Sequence, residues 1–309
     1  MPTCRALAIA FPIVLLAACG SEPESAPATD SAAGPATAEP VRVALVEGFS
    51  GPESVRYDEE ADVYFVGNFN GDAGALDNNG FISRMTPDGV VENLHFIAGG
   101  QNGVTLHSVR GMTIVGDTLW ACDADAVRGF NRTTGAPVAE ISFTALEPGF
   151  LNDITPGPAG ELYVTDTPRN RIYRIDGRTP SIALEDEALG NPNGITWDRT
   201  SGHAVVIPYG GAQQLNRWGG QEPGLEPIAT GLAGGKYDGV EVLGYGRLLV
   251  SSQADSSIHV VVDGRIESSL KTVGAPADIG YDIRRNRVAV PFVALDQVEI
   301  LEVPAEPEN

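Results

Sequence analysis

Four short segments of this chain share one polar-then-apolar pattern: Pro52-Glu53-Ser54-Val55, Leu151-Asn152-Asp153-Ile154, Pro192-Asn193-Gly194-Ile195 and Tyr237-Asp238-Gly239-Val240. Their key residues, Glu53, Asn152, Asn193 and Asp238, carry only oxygen ligands: two carboxylates and two amide carbonyls. If the fold brings them together, they make a site for a hard cation. Ca²⁺ fits best because it tolerates irregular oxygen coordination, while Mg²⁺ wants a stricter octahedron and Mn²⁺ accepts the same donors. No Cys/His cluster has zinc-ligand spacing. Alone, Asn193-Gly194 and Asp238-Gly239 are turn dipeptides, whose residues tolerate positive φ. The recurrence of such residues at one register is the informative part.

That register extends to two further units, at Arg110-Gly111-Met112 and Asp278-Ile279-Gly280. The six anchors Glu53, Arg110, Asn152, Asn193, Asp238 and Asp278 lie 57, 42, 41, 45 and 40 residues apart. A period of about 40 to 50 residues is that of propeller blades. Each anchor precedes a second strand-like run: 63–66, 118–121, 162–165, 203–206, 247–250 and 287–290. A third run follows at 81–84, 127–130, 171–174, 215–218, 258–261 and 298–301, and a fourth in most units, as at 138–141 and 182–184. Turn signals such as Pro87-Asp88-Gly89, Thr134-Gly135 and Asp263-Gly264 separate them. The last unit lacks a fourth run, and 41–46 supplies a spare one before the first anchor. We therefore expect an all-β, six-bladed β-propeller closed by the N-terminal strand in the last blade, a solution that leaves only short sheet edges. Two long polar loops, 71–80 and 98–108, are expected near the anchor face, where they would cover the channel.

The composition agrees. The chain has 309 residues, 42% hydrophobic, with 37 Gly and 22 Pro and no long helical pattern, which suits a turn-rich β-fold. Its 41 acidic and 20 basic residues leave a net charge of −21, which argues against nucleic acid as a partner.

Arg5 and the apolar run 6–18 have the form of a signal segment, too short for a bilayer span of about 20 residues. Leu16-Ala17-Ala18-Cys19 resembles a bacterial lipobox, with Cys19 as the acylated residue and Gly20 after it favouring the outer membrane, facing the periplasm. Acyl chains contribute about 0.8 kcal/mol per buried CH₂. Residues 1–18 are expected to be removed, 19–40 to form a lipidated, disordered tether, 41–304 to fold and 305–309 to be a tail. Cys122 is then the only thiol of the folded part, so no internal disulfide is expected there, and its alternation with Trp120 on a strand suggests burial. A monomer is expected.

Taken in order and at blade spacing, the anchor motifs resemble the gluconolactonase/regucalcin-like family of calcium propellers, over residues 41 to 303. The resemblance implies Glu53, Asn152, Asn193 and Asp238 as metal ligands and metal-dependent hydrolysis of a lactone or related ester. In such a reaction a carboxylate activates water as general base. Asp238 is the first candidate, and Asp153 either a second base or an orienter of Asn152. Family sugar lactonases carry an arginine where this chain has Phe150, so a more apolar substrate is expected. Arg110 occupies a ring position the metal does not need and could meet an anionic group or a neighbouring carboxylate. His107, three residues before it, is a candidate base by analogy with the paraoxonase-like branch. The competing reading is a non-catalytic binding or scaffold propeller with a structural Ca²⁺, since fold does not fix function.

Overall fold

The computed structural model describes residues 36–38 and 41–304, apart from 212, 221–223 and 245. The signal segment 1–18, Cys19, the tether up to residue 35 and the tail 305–309 lie outside the described residues.

Six antiparallel sheets form the blades of a propeller. The second strand of every blade starts where the hydrophobic pattern predicts it: Val63–Asn68, Thr118–Cys122, Leu162–Asp166, His203–Pro208, Arg247–Ser252 and Arg287–Phe292. Their near-continuous apolar character follows from burial on both faces. Side chains alternate along a strand, so Val63 and Phe65 join a core cluster with blade 2 while Tyr64 and Val66 join one with blade 6. One such cluster fills each of the six blade junctions. Cys122 is free and buried in the junction of blades 2 and 3.

Blade 6 is completed by the N-terminal strand Arg42–Glu47, which pairs antiparallel with Gln297–Glu302. Arg42 Nε reaches Glu299 Oε1 at 2.6 Å across this closure. One expectation is corrected here. Residues 36–38, placed in the tether by their composition, form a strand, Ala36–Ala38, which runs parallel beside Arg265–Lys271 as a fifth strand of blade 5. Backbone pairing alone suffices for such an edge strand, so its composition carries no apolar signal.

The innermost strands Pro52–Asp58, Leu151–Pro156, Pro192–Asp198 and Tyr237–Gly244 each break register with their neighbour near their start, between Pro52 and Ser54, Leu151 and Ile154, Pro192 and Ile195, and Tyr237 and Val240. Glu53, Asn152, Asn193 and Asp238 sit at these four bulges. A bulge re-aims a side chain and takes its residue out of the ladder. Three of the freed carbonyls are met from the preceding blade: Gly111 N–H donates to Asn152 O (2.9 Å), Thr165 Oγ1 to Asn193 O (2.6 Å) and Asp278 N–H to Glu53 O (2.9 Å).

Gly194 and Gly239 follow two of the anchors, yet neither has positive φ. They are needed for close approach instead. A Cβ on Gly194 would lie 2.5 Å from the Asp238 carbonyl, and one on Gly239 would lie 2.4 Å from the Ile279 nitrogen. The turn chemistry suggested by Asn-Gly and Asp-Gly is thus replaced by backbone packing between blades.

Candidate metal centre

Glu53, Asn152, Asn193 and Asp238 line one cavity of about 360 Å³ at the centre of the ring. All four are buried. Glu53 Oε2, Asn193 Oδ1 and Asp238 Oδ1 have no hydrogen-bond partner. Buried oxygens without partners are rare in native structures, where such groups are paired with protein, water or an ion.

Two of these side chains are also held by neighbours. Asn152 Nδ2 donates to Thr167 Oγ1 (2.9 Å), and Thr167 Oγ1 donates on to the Pro192 carbonyl (2.8 Å). Gln253 Nε2 donates to Asp238 Oδ2 at 2.6 Å, and the Tyr209 hydroxyl donates to Gln253 Oε1 at 3.0 Å. The donors are thereby spent outward, and acceptor oxygens remain for the centre. This donor set fits a hard divalent cation, with two carboxylates to balance its charge.

Electrostatics point the same way. Burial raises Glu53 well above the carboxylate range, and the Asp238 charge adds to this against the opposing pull of Arg110. Asp238 is pushed up to about 7 by burial and then by Asp153, opposed by hydrogen bonds from Gln253 and Asn193. Asp278 is likewise raised well above its usual value, by burial first and then by Asp153. Four buried carboxylates, at 53, 153, 238 and 278, share this column with the guanidinium groups of Arg56 and Arg110. Without a cation their full ionisation is unfavourable.

Three candidates stand elsewhere. Asp153 does not line the cavity. Its Oδ1 accepts from the Ile154 N–H (2.7 Å) and its Oδ2 from the Ile195 N–H (2.7 Å). It clamps blade 3 to blade 4, outside the cavity wall. Burial nonetheless raises it to about 6, against the pull of Arg56 and its backbone donors. His107 is also outside the cavity wall, with Nδ1 accepting from the Asn78 N–H at 3.0 Å. Its backbone N–H and that of Ser108 bind the Asp123 carboxylate, so it belongs to the scaffold of the long loops. His107, Asp123 and Asp125 do cluster, but Asp123 is already held by Arg128 Nε at 2.6 Å.

Arg110 is the third. Its guanidinium lies 3.6 Å from the centre of the Phe150 ring, and the residue is 1% exposed. Nη1 donates to the carbonyls of Asp123 (2.9 Å) and Leu151 (3.2 Å), and Nη2 to that of Ala73. Ala73 belongs to the loop 71–80. No residue of that loop or of 98–108 lines the cavity; the two are bonded to each other through Gly80 N–H to Leu106 O (3.1 Å), and they seal Arg110 rather than cover the channel.

On the other side of the anchors Arg56 bridges blades 2 and 5. Its Nε donates to the Met112 carbonyl (2.7 Å) and its Nη1 to Glu241 Oε1 (2.7 Å).

Phe150, Pro168 and Ala277 also line the wall, as do Phe69, Thr167, Tyr209, Gln253 and Val293, and each of these last five immediately follows the second strand of its blade. The sequence reading overlooked them, although the repeat register that located those strands would have found them.

Solved structures share this architecture. The calcium-binding protein regucalcin from Agrobacterium tumefaciens superposes with a TM-score of 0.63 at 14% identity, over 87% of this chain and 95% of that one. A gluconolactonase from Xanthomonas campestris gives 0.62 at 16%, over 88% and 97%. The chain has their six-bladed propeller fold. A streptogramin B lyase is also similar, with a TM-score of 0.55 at 13% identity over 84% of this chain and 97% of that one. No protein-family model and no curated protein matches the sequence.

Proposed function

We propose that this chain is a divalent-metal-dependent hydrolase of lactones or related esters, with Ca²⁺ as its metal. The observation that carries the reading is the convergence of four oxygen side chains from four bulges on one buried cavity, with three oxygens left unpartnered. The likeness to a gluconolactonase and to a calcium-binding protein supports it.

When bound, the metal would supply Lewis acidity toward a carbonyl oxygen and the oxyanion that develops there. The chain's own residues do the rest. Glu53, Asn152, Asn193 and Asp238 hold the ion. Thr167 and Gln253 fix the orientation of Asn152 and Asp238. Among the described residues Glu53 and Asp238 are the only carboxylates of the cavity wall, and Asp238 is the proposed general base, taking a proton from the attacking water. From the sequence of its first 19 residues we further infer a lipid-anchored protein of the bacterial envelope, acting on small molecules as a monomer.

The test uses metal-stripped protein, a panel of lactones and aryl esters, and Asp238→Asn beside the parent. Turnover that requires added Ca²⁺ and is lost in the variant supports the hydrolase. Calcium binding without turnover on any member favours the binding module.

A further inference from the structure

We propose that Phe150 sets the substrate class of this site, by roofing Arg110 so that the cavity admits neutral molecules with a flat apolar arm and rejects those with an anionic group. The inference rests on the hydrolase reading only for the identity of the reacting bond.

The wall above the oxygens is formed by Phe69, Phe150, Pro168, Tyr209, Ala277 and Val293, and among the described residues no Lys, Arg or His lines the cavity. The formal charges of the lining belong to Glu53 and Asp238, both negative. A substrate carboxylate or phosphate entering there would lose its hydration without gaining a cationic side chain, which is costly. An aromatic or alicyclic arm would instead meet two phenyl rings and a phenol, with offset or edge contacts available. The volume of about 360 Å³ lies within the range of small-molecule sites.

The guanidinium that could reverse this preference is present and concealed. Arg110 is pinned by three backbone carbonyls directly behind the Phe150 ring, at 3.6 Å from its centre. Its Nε is buried with no partner, a donor an anion could use if the ring were absent. Phe150 itself is held in place by its backbone, whose N–H donates to Asp166 Oδ1 (2.9 Å) and whose carbonyl accepts from the Thr167 N–H (3.2 Å). Removing the ring should therefore uncover Arg110 without moving the chain that carries it.

The experiment compares the full chain, Phe150→Ala and Phe150→Leu, all with saturating Ca²⁺. The probes are a neutral benzo-fused six-membered lactone and its counterpart with a carboxylate on the ring edge remote from the lactone carbonyl. The two corresponding lactams report binding by calorimetry. Thermal melts and Ca²⁺ titrations check that each variant is folded and loaded. We expect the parent to prefer the neutral member by more than about 100-fold in kcat/KM and in lactam affinity, the scale of leaving one charge unpaired. Phe150→Ala should cut that preference at least tenfold by gaining affinity for the carboxylate, whereas Phe150→Leu should keep it. An unchanged ratio in Phe150→Ala, equal handling of both members by the parent, or no lactam binding at all would overturn the proposal. Lactam discrimination with no lactone turnover would retain the selectivity rule and remove the hydrolase reading.

Discussion

Gln253 donates to one oxygen of Asp238 at 2.6 Å and leaves the other buried and without a partner. The amide cannot rotate freely, because the Tyr209 hydroxyl donates to its oxygen. The pair therefore presents Asp238 Oδ1 in a fixed direction. Replacing an outer hydrogen-bond partner of a metal ligand typically costs 10–100-fold in affinity. Gln253→Leu is expected to weaken Ca²⁺ binding by about that factor. Calorimetry on the variant decides it; unaltered affinity would mean that Gln253 does not orient a ligand.

Glu53→Gln and Asp238→Asn each remove one of the two ligand charges. Both should reduce Ca²⁺ affinity by more than about 100-fold, beyond the effect of an outer partner. Both should also raise the melting temperature of the metal-free protein at pH 8, since each takes a repelled carboxylate out of a buried cluster. Retained affinity in both variants would rule out this ligand set.

The buried carboxylates give stability an inverted pH dependence. Asp153 and Asp238 titrate near 6 and 7 in the fold, against about 3.9 in an unfolded chain. The folded state thus holds protons that the unfolded state has released. Metal-free stability should be full below about pH 4 with respect to these groups, and should fall as pH rises through 6 and 7. Saturating Ca²⁺ should offset the fall, because the ion binds the deprotonated ligands. Melting temperatures of both forms from pH 5 to 8 provide the check, and a metal-free curve that stays level would contradict the raised values.

Gly194→Ala places a Cβ 2.5 Å from the Asp238 carbonyl, in backbone that has no slack. Overpacking of this kind costs about 1–3 kcal/mol. Urea unfolding should register that loss, along with weaker Ca²⁺ binding as two ligand-bearing strands are forced apart. A neutral effect on both would show that the blades separate more easily than this contact implies.

Deleting residues 41–47 removes the outer strand of blade 6 and the Arg42–Glu299 contact. It exposes the edge of Gln297–Glu302 and part of the junction between blades 6 and 1. A large drop in melting temperature, with aggregation through the bare edge, is expected. An unshifted melt would make the closure dispensable.

The fold was legible because every blade repeats one pattern. The second strands begin at the residues where their apolar runs begin, and the spare run 41–46 found its place in blade 6. The convergence of Glu53, Asn152, Asn193 and Asp238 on one cavity was legible for the same reason: a repeat that closes on itself puts equal registers at one centre. What escaped was anything that joins two blades through dissimilar residues. Phe150 against Arg110, Arg56 against Glu241, and Asp153 against the Ile195 N–H are each single events in a periodic chain. Gly194 and Gly239 misled in the opposite direction. A local turn explanation was available, but the neighbouring blade is what requires them.

The pairing of Arg42–Glu47 with Gln297–Glu302 also orders events in time. This early strand finds its partner among the last, roughly 250 residues later. Until then blade 1 has no neighbour on one side and the ring stays open, so the nascent chain can hold stacked blades but no finished central site. Such a long-range contact is slow to form, and the open array exposes sheet edge while it waits. Glu53 of blade 1 therefore joins Asn152, Asn193 and Asp238 around one cavity only once the ring closes, so a half-built ring lacks the complete set.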